Sequence, residues 1–177
     1  MSACPVVETE RLILRPFRED DVDAYTEVLQ SAEVRASLHL PDDVGREQAW
    51  AGIALWLGQW ELRGTGQWAV VERSSGAFLG RAGMHYPERA DWPGIEIGWA
   101  FHPRAWGHGY ATEAGRASVE YAFAHRDVDA LYSVILPENT RSQAVAQRLG
   151  FTLFEMRVMS HYPDAPHGIW RLERPTG

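Results

Sequence analysis

Lysine is missing from these 177 residues, and all seventeen basic positions are arginine. That excludes a P-loop, which needs a lysine reaching the phosphates from its glycine-rich turn. Cysteine is nearly missing too. Cys4 stands alone near one end, with neither a disulfide partner nor metal-ligand spacing, so a disulfide framework and a zinc knuckle are excluded and a reducing, cytoplasmic setting is expected. No apolar run approaches the roughly 18 residues that span a bilayer, and the opening residues lack the basic-then-apolar order of a signal peptide, so no membrane partner is expected. A basic excess is also lacking. With 24 acidic residues against 17 basic ones the net charge is −7, which leaves no basic stripe for nucleic acid and suits a cationic acceptor.

What the chain does have is apolar content of 45%, including eight tryptophans, enough to fill one core at this length. A single domain over residues 1–177 is expected. Arg11–Arg15 alternates apolar and charged residues up to Pro16 and reads as a short edge-like strand. Glu19-Asp20-Asp21 opens a helix carrying Val22, Tyr25, Val28 and Leu29, and Asp42-Asp43 opens another with Trp50, Ile53, Leu57 and Trp60 facing the core. Gln67–Val71 and Ala77–Met84 flank Arg73-Ser74-Ser75-Gly76 as a hairpin.

After the polar loop Pro87–Pro93, a strand to Phe101 places Ile95, Ile97, Trp99 and Phe101 on one side and Glu96, Gly98 and Ala100 on the other. A helix over Ala111–His125, a strand over Leu131–Leu136, a helix over Thr140–Leu149 and strands from Phe151 and Gly168 complete the pattern. The fold class is α/β (an α+β mixed sheet), mostly antiparallel and covered by helices on both faces.

Trp106-Gly107-His108-Gly109-Tyr110-Ala111 joins a strand to a helix, where free amides and the positive end of the helix dipole receive phosphate oxygens. The same glycines also suit an ordinary strand-to-helix turn. A dinucleotide fingerprint is disfavoured, because its third glycine position holds Thr112 and the preceding strands form hairpins rather than a parallel unit. The segment Trp106-Gly107-His108-Gly109-Tyr110-Ala111-Thr112-Glu113-Ala114 resembles the glycine-rich turn of the GNAT superfamily of N-acetyltransferases, in the form shown by its Rim-type branch of ribosomal-protein N-terminal acetyltransferases. Arg104-x-x-Gly107-x-Gly109 fits the superfamily pattern literally, but the frame counted from Pro103 gives Trp106-x-x-Gly109-x-Ala111. Glu96-Ile97-Gly98-Trp99, Pro137-Glu138-Asn139-Thr140-Arg141-Ser142, Leu149-Gly150-Phe151 and the opening Thr9–Pro16 resemble further elements of that branch, in the right order.

The resemblance implies a GNAT-like sheet with a splayed strand pair, acetyl-CoA as co-substrate, no metal, and transfer to a primary amine. It implies cofactor-binding roles for Ala100, Phe101 and His102 in the splay, for Trp106, Gly107, His108, Gly109, Tyr110 and Ala111 in the turn, and for Asn139 and Ser142 beyond it. Asn139 is equally suited to capping a helix.

A lysine-like amine with a pKa near ~10.4 costs about 4 to 5 kcal/mol to deprotonate at pH 7, and an α-amine much less, so a carboxylate base in the cleft is needed. Glu96 is the candidate, with Gly98 beside it leaving room for substrate; an ordinary salt-bridged strand glutamate is the other reading. Many superfamily members carry a tyrosine general acid shortly before Leu-Gly-Phe, where this chain has Ala146; Ser142, which matches the branch's serine, is a candidate donor to the departing thiolate, and water is the other. His85 and Tyr86, at the end of a hairpin strand, are candidates for acceptor binding. The acceptor stays open between a protein α-amine and a small molecule such as an amino sugar, and a homodimer is compatible with the sequence. A non-catalytic acyl-CoA-binding module is the alternative from another class.

Overall fold

The computed structural model of the chain describes residues 4–175. The strands are β1 (Val7–Glu8), β2 (Leu12–Arg15), β3 (Gln67–Glu72), β4 (Phe78–His85), β5 (Glu96–Phe101), β6 (Ala130–Ile135), β7 (Thr152–Met159) and β8 (Tyr162–Glu173). The helices are α1 (Val22–Gln30), α2 (Ala32–Leu38), α3 (Arg46–Arg63), α4 (Tyr110–His125) and α5 (Thr140–Arg148). All the strands join one sheet in the order β1-β2-β3-β4-β5-β6-β8-β7. Every pairing is antiparallel except β5 with β6, which is parallel and held only at Glu96 opposite Tyr132.

Strand alternation sends side chains to two cores, one on each face. Trp68, Val70, Met84, Ile97 and Phe101 pack under α4 and α5, whereas Ala69, Val71 and Phe78 pack under α1, α2 and α3. The alanines Ala114, Ala117 and Ala122 let α4 lie close on the sheet, and a side chain at Gly115 would strike Leu149 Cδ1 at 2.7 Å. The aromatic core includes Trp60 and Trp68, with ring centroids 4.8 Å apart.

Three features differ from the sequence expectation. On α3 the buried stripe is Ala49, Ile53, Trp56 and Trp60, while Trp50 and Leu57 are 51% and 38% exposed. A large side chain one position out of phase looks like core in a pattern of apolar residues, but the helix turns the smaller Ala49 inward. The short α2 has no apolar repeat to announce it, since only Val34 is buried, and it stops where His39 takes the left-handed conformation at φ 53°. Finally, β8 starts at Tyr162 rather than Gly168: its outer half pairs with β7 alone, an arrangement in which Pro163 and Pro166 need donate no ladder bond on their open side.

Candidate active site

The single bridge between β5 and β6 decides where a ligand can enter. Tyr132 N–H donates to Ile95 O at 3.0 Å, and beyond that point the two strands diverge. On its other edge β5 stays fully paired with β4, and His102 N–H donates to Leu79 O at 2.9 Å. Alternation then turns the backbone of Ala100 toward β4 as well and leaves that of Trp99 and Phe101 facing the gap. Phe101 O accepts from Trp106 Nε1 at 2.9 Å, so the open polar groups on this edge include the amides of Trp99 and Phe101.

On one side of the splay lies a groove of about 1000 Å³, lined by Trp99, Ala100, Phe101, Trp106, Gly107, Gly109, Tyr110, Ala111, Asn139 and Ser142. The amino end of α4 opens into it. Gly107 and Gly109 both sit at φ 80°, a conformation other residues adopt only with strain, and no side chain caps the helix. The amides of its first turn therefore face the groove with the positive end of the dipole behind them. Arg116, Arg141 and Arg148 line the same groove without an ion-pair partner among the described residues, and Arg141 lies 4.4 Å from the Trp106 ring centroid. Arg11, by contrast, is tied to Glu113 at 2.7 Å and to His108 O, which fastens the turn to β2's approach.

On the other side is a smaller cavity of about 150 Å³ with Glu96, Gly98, Arg81, His85, Gln67, Trp56 and Trp92 in its wall. Burial pushes the Glu96 carboxyl up to about 7, opposed by the Val134 N–H donating at 3.4 Å and by the nearby Arg81 and Arg89. A carboxyl so placed is half ionised near neutrality and can take a proton. His85 goes the other way: burial, reinforced by Arg81 and Arg89, holds it down at about 3, so it is neutral, with its Nδ1 3.1 Å from Gln59 Nε2. The rings of Trp56 and Trp92 meet His85 edge-on at 5.0 and 5.5 Å. Tyr162 and His167, from the outer half of β8, close the far side.

The groove and the cavity meet at Ser37, Trp99, Asn139 and Ser142, which line both. Asn139 caps α5 by accepting from Ser142 N–H at 3.1 Å, so it is cap and wall at once. The Ser142 hydroxyl accepts from Trp99 Nε1 at 3.3 Å at the junction. Ala146, at the position of the expected tyrosine, is fully buried.

The residues 11–152 match the model of the acetyltransferase (GNAT) domain. The chain belongs to the GNAT family. Its likeness to the Bacillus subtilis protein YkkB is 36% identity over 87 residues, about half of either chain (49% of this one, 51% of the other). An acetyltransferase from Agrobacterium tumefaciens shares the structure at TM-score 0.83, with 30% identity, over 96% of this chain and 95% of that one. RimL, the ribosomal L7/L12 alpha-N-protein acetyltransferase in complex with coenzyme A, shares the fold at TM-score 0.79, with 20% identity, over 96% and 98%. The chain is thus an acetyltransferase of the GNAT family, and RimL shares its fold.

The structure gathers Glu96, Ser142, Ala100, Phe101, Trp106, Gly107, Gly109, Tyr110, Ala111, Asn139 and His85 around the groove and cavity. Three sequence candidates lie outside the two linings. His102 has its ring Nδ1 accepting from Arg104 N–H, His108 is exposed with its ring against Tyr110, and Tyr86 is 41% exposed beside Arg63. Arg81, Gln67, Trp56, Trp92, Tyr162 and His167 carry no motif, and only the pairing of strands far apart in sequence brings them to one cavity. Among the described residues no three His, Cys, Asp or Glu gather as for a metal, and no helix is long and apolar enough to cross a membrane.

Proposed function

We propose that this GNAT enzyme moves an acetyl group from acetyl-CoA to a primary amine by direct attack, with Glu96 as the base. The observation that carries the reading is the junction: an elongated groove rich in backbone donors meets a small cavity holding a buried carboxyl, with Trp99 and Ser142 at the contact. The groove fits the long donor chemically. Uncapped α4 amides and three unpaired arginines suit its phosphates, a Cβ at Gly107 would meet nothing within 4 Å, and the open edge of β5 suits amides of a pantetheine arm. Acetyl-CoA supplies a thioester carbonyl, which an amine attacks only as its neutral form.

In this assignment Glu96 accepts the proton of the attacking amine, directly or through one water. The amide of Trp99, facing the gap with no partner in β6, donates to the carbonyl oxygen as negative charge develops there. Ser142 Oγ, at the junction, donates to the sulfur as the carbon–sulfur bond breaks. His85 keeps a neutral wall beside the base. RimL, an alpha-N-protein acetyltransferase, lends the general reaction support while leaving this chain's acceptor to its own cavity.

The reading is tested by titrating the protein with acetyl-CoA in a calorimeter, with NAD and ATP as controls, and repeating with Gly109→Glu. Binding of acetyl-CoA that the variant loses is expected. A folded protein that binds no acetyl-CoA, or binds it unchanged in the variant, would sink the assignment of the groove. Binding without transfer to any amine would instead favour the non-catalytic module.

A further inference from the structure

Arg81 sits at the heart of the small cavity and takes no part in the reaction described above. Its Nε donates to Tyr25 Oη at 3.0 Å and its Nη1 to Gln67 Oε1 at 2.9 Å, and both partners are buried, at 3% and 1% exposure. Gln67 is fixed in turn, its Nε2 donating to Gly83 O at 3.1 Å. The guanidinium also lies over the Trp56 ring, 5.2 Å from the centroid. Both partners are neutral. Among the described residues Arg81 has no carboxylate within ion-pair distance, and its hydrogen bonds are made by Nε and Nη1, not Nη2. The half-buried guanidinium thus keeps a free N–H edge on the cavity side, where an anion can be received.

The position of this cation relative to the base is fixed by what Gly98 lacks. A Cβ at Gly98 would lie 3.9 Å from Arg81 Nη1 and 3.9 Å from Glu96 Oε1, so the cation and the base flank the same small volume. Arg89, held over the Trp92 ring at 4.9 Å, adds a second positive charge near Glu96 and His85. Two arginines therefore stand near the one carboxyl of the cavity lining, although the whole chain carries −7. The cavity, at about 150 Å³, is also smaller than the roughly 300 to 1,000 Å³ of drug-sized ligand sites.

We infer that the acceptor is a small amine carrying a carboxylate within a few bonds of its nitrogen, of the amino-acid type, and that Arg81 is the residue selecting it. The carboxylate lies on the open side of the Arg81 guanidinium and the amine beside Glu96. Recognition by a preorganised guanidinium is directional and strong for a planar carboxylate. A peptide N-terminus offers an uncharged amide at the same place and leaves Arg81 unpaired. This assignment rests on the transferase reading of the same cavity.

The experiment uses the full chain and a set of small amino acids, each beside its own amide, with acetyl transfer followed as CoA release and rates expressed per neutral amine. The wild type is expected to prefer the acids in kcat/KM by about 10- to 100-fold, the worth of one charge-assisted hydrogen bond. In Arg81→Gln the ratio of acid to amide falls toward one, and Arg81→Lys, which keeps the charge, recovers part of it. An unchanged acetyl-CoA Kd in each variant establishes that the fold is intact. Amides or peptide amines used as well as the acids, or a preference that survives Arg81→Gln, would overturn the role of Arg81 while the transferase reading stands. A protein that binds acetyl-CoA and acetylates neither set would overturn both.

Discussion

The groove at the amino end of α4 and the cavity around Glu96 share a wall at Trp99 and Ser142, yet they are made of different materials. The groove presents much backbone, in the uncapped amides of α4, two glycines at φ 80° and the unpaired edge of β5, with Arg116, Arg141 and Arg148 around it. The cavity presents side chains from α3, β3, β4, β5, β8 and the loop before β5, among them Arg81, held by Tyr25 and Gln67. A surface built from backbone tolerates change in side chains and holds whatever ligand suits its amides. A surface built from side chains changes its ligand with single substitutions. On the proposed assignment the first serves the part of the substrate that is constant and the second the part that differs between enzymes of one fold.

That contrast predicts variants whose effects separate. The largest effect is expected from Glu96→Gln, which removes the base from the cavity and should lower kcat by about 100- to 10,000-fold with the acetyl-CoA Kd unchanged. Steady-state kinetics beside calorimetry separates the two. Gly109→Glu does the reverse, forcing a non-glycine residue into the left-handed region and setting a carboxylate at the anion end of α4. A loss of roughly 100-fold in acetyl-CoA affinity is expected. Either variant damaging both halves equally would break the division.

A smaller effect attends Gly98→Ala. Its Cβ would stand 3.3 Å from Gln67 Nε2 and within the volume between Glu96 and Arg81. The acceptor KM should rise by about 10-fold, the scale of one methyl in a tight pocket, and donor affinity should hold.

Stability against pH sharpens the same comparison. The folded pKa of Glu96, near 7, lies above its ordinary value of 4.5, so the folded state binds more protons in that window and loses stability as pH rises through it. Glu96→Gln removes this cost and keeps an acceptor for Val134 N–H, so it should stabilise the protein at pH 8 by on the order of 1 to 3 kcal/mol and much less at pH 4. Thermal unfolding at the two pH values reads the difference directly. His85 has the opposite sense. Its folded pKa of about 3 lies below the ordinary 6.5, so stability is lost as pH falls below 6.5. His85→Gln is expected to flatten that acid limb, which thermal unfolding between pH 4 and pH 7 would show.

The same distinction governs what the sequence discloses. Gly107 and Gly109 are legible because a backbone site constrains residue type at consecutive positions, and strand alternation alone sends Glu96 and Gly98 to one face. Arg81 reads as an ordinary strand arginine until β4 is paired with β5, and Gln67 until β3 is paired with β4. Tyr162 and His167 reach the cavity only because β8 begins earlier than its prolines suggest. Trp56 is hidden by its neighbours, since Trp50 and Leu57 offer an equally apolar face at the wrong phase of α3. Asn139 caps α5 and also lines the groove, so one position accommodates both the cap and a proposed ligand contact.

The central claim, that a carboxyl titrating near neutrality in the cavity accepts the amine proton, is tested most directly by the pH dependence of kcat/KM for the acceptor. The acceptor chosen should carry an amine that stays neutral over the whole range, so that its own titration does not enter. For the wild type, the rate is expected to rise tenfold per pH unit up to an inflection at about 7 and then level. In Glu96→Gln the low residual rate should be flat across the same range. A limb that persists in Glu96→Gln, or a wild-type rate flat between pH 5 and pH 8, would contradict the account and assign the proton to some other group.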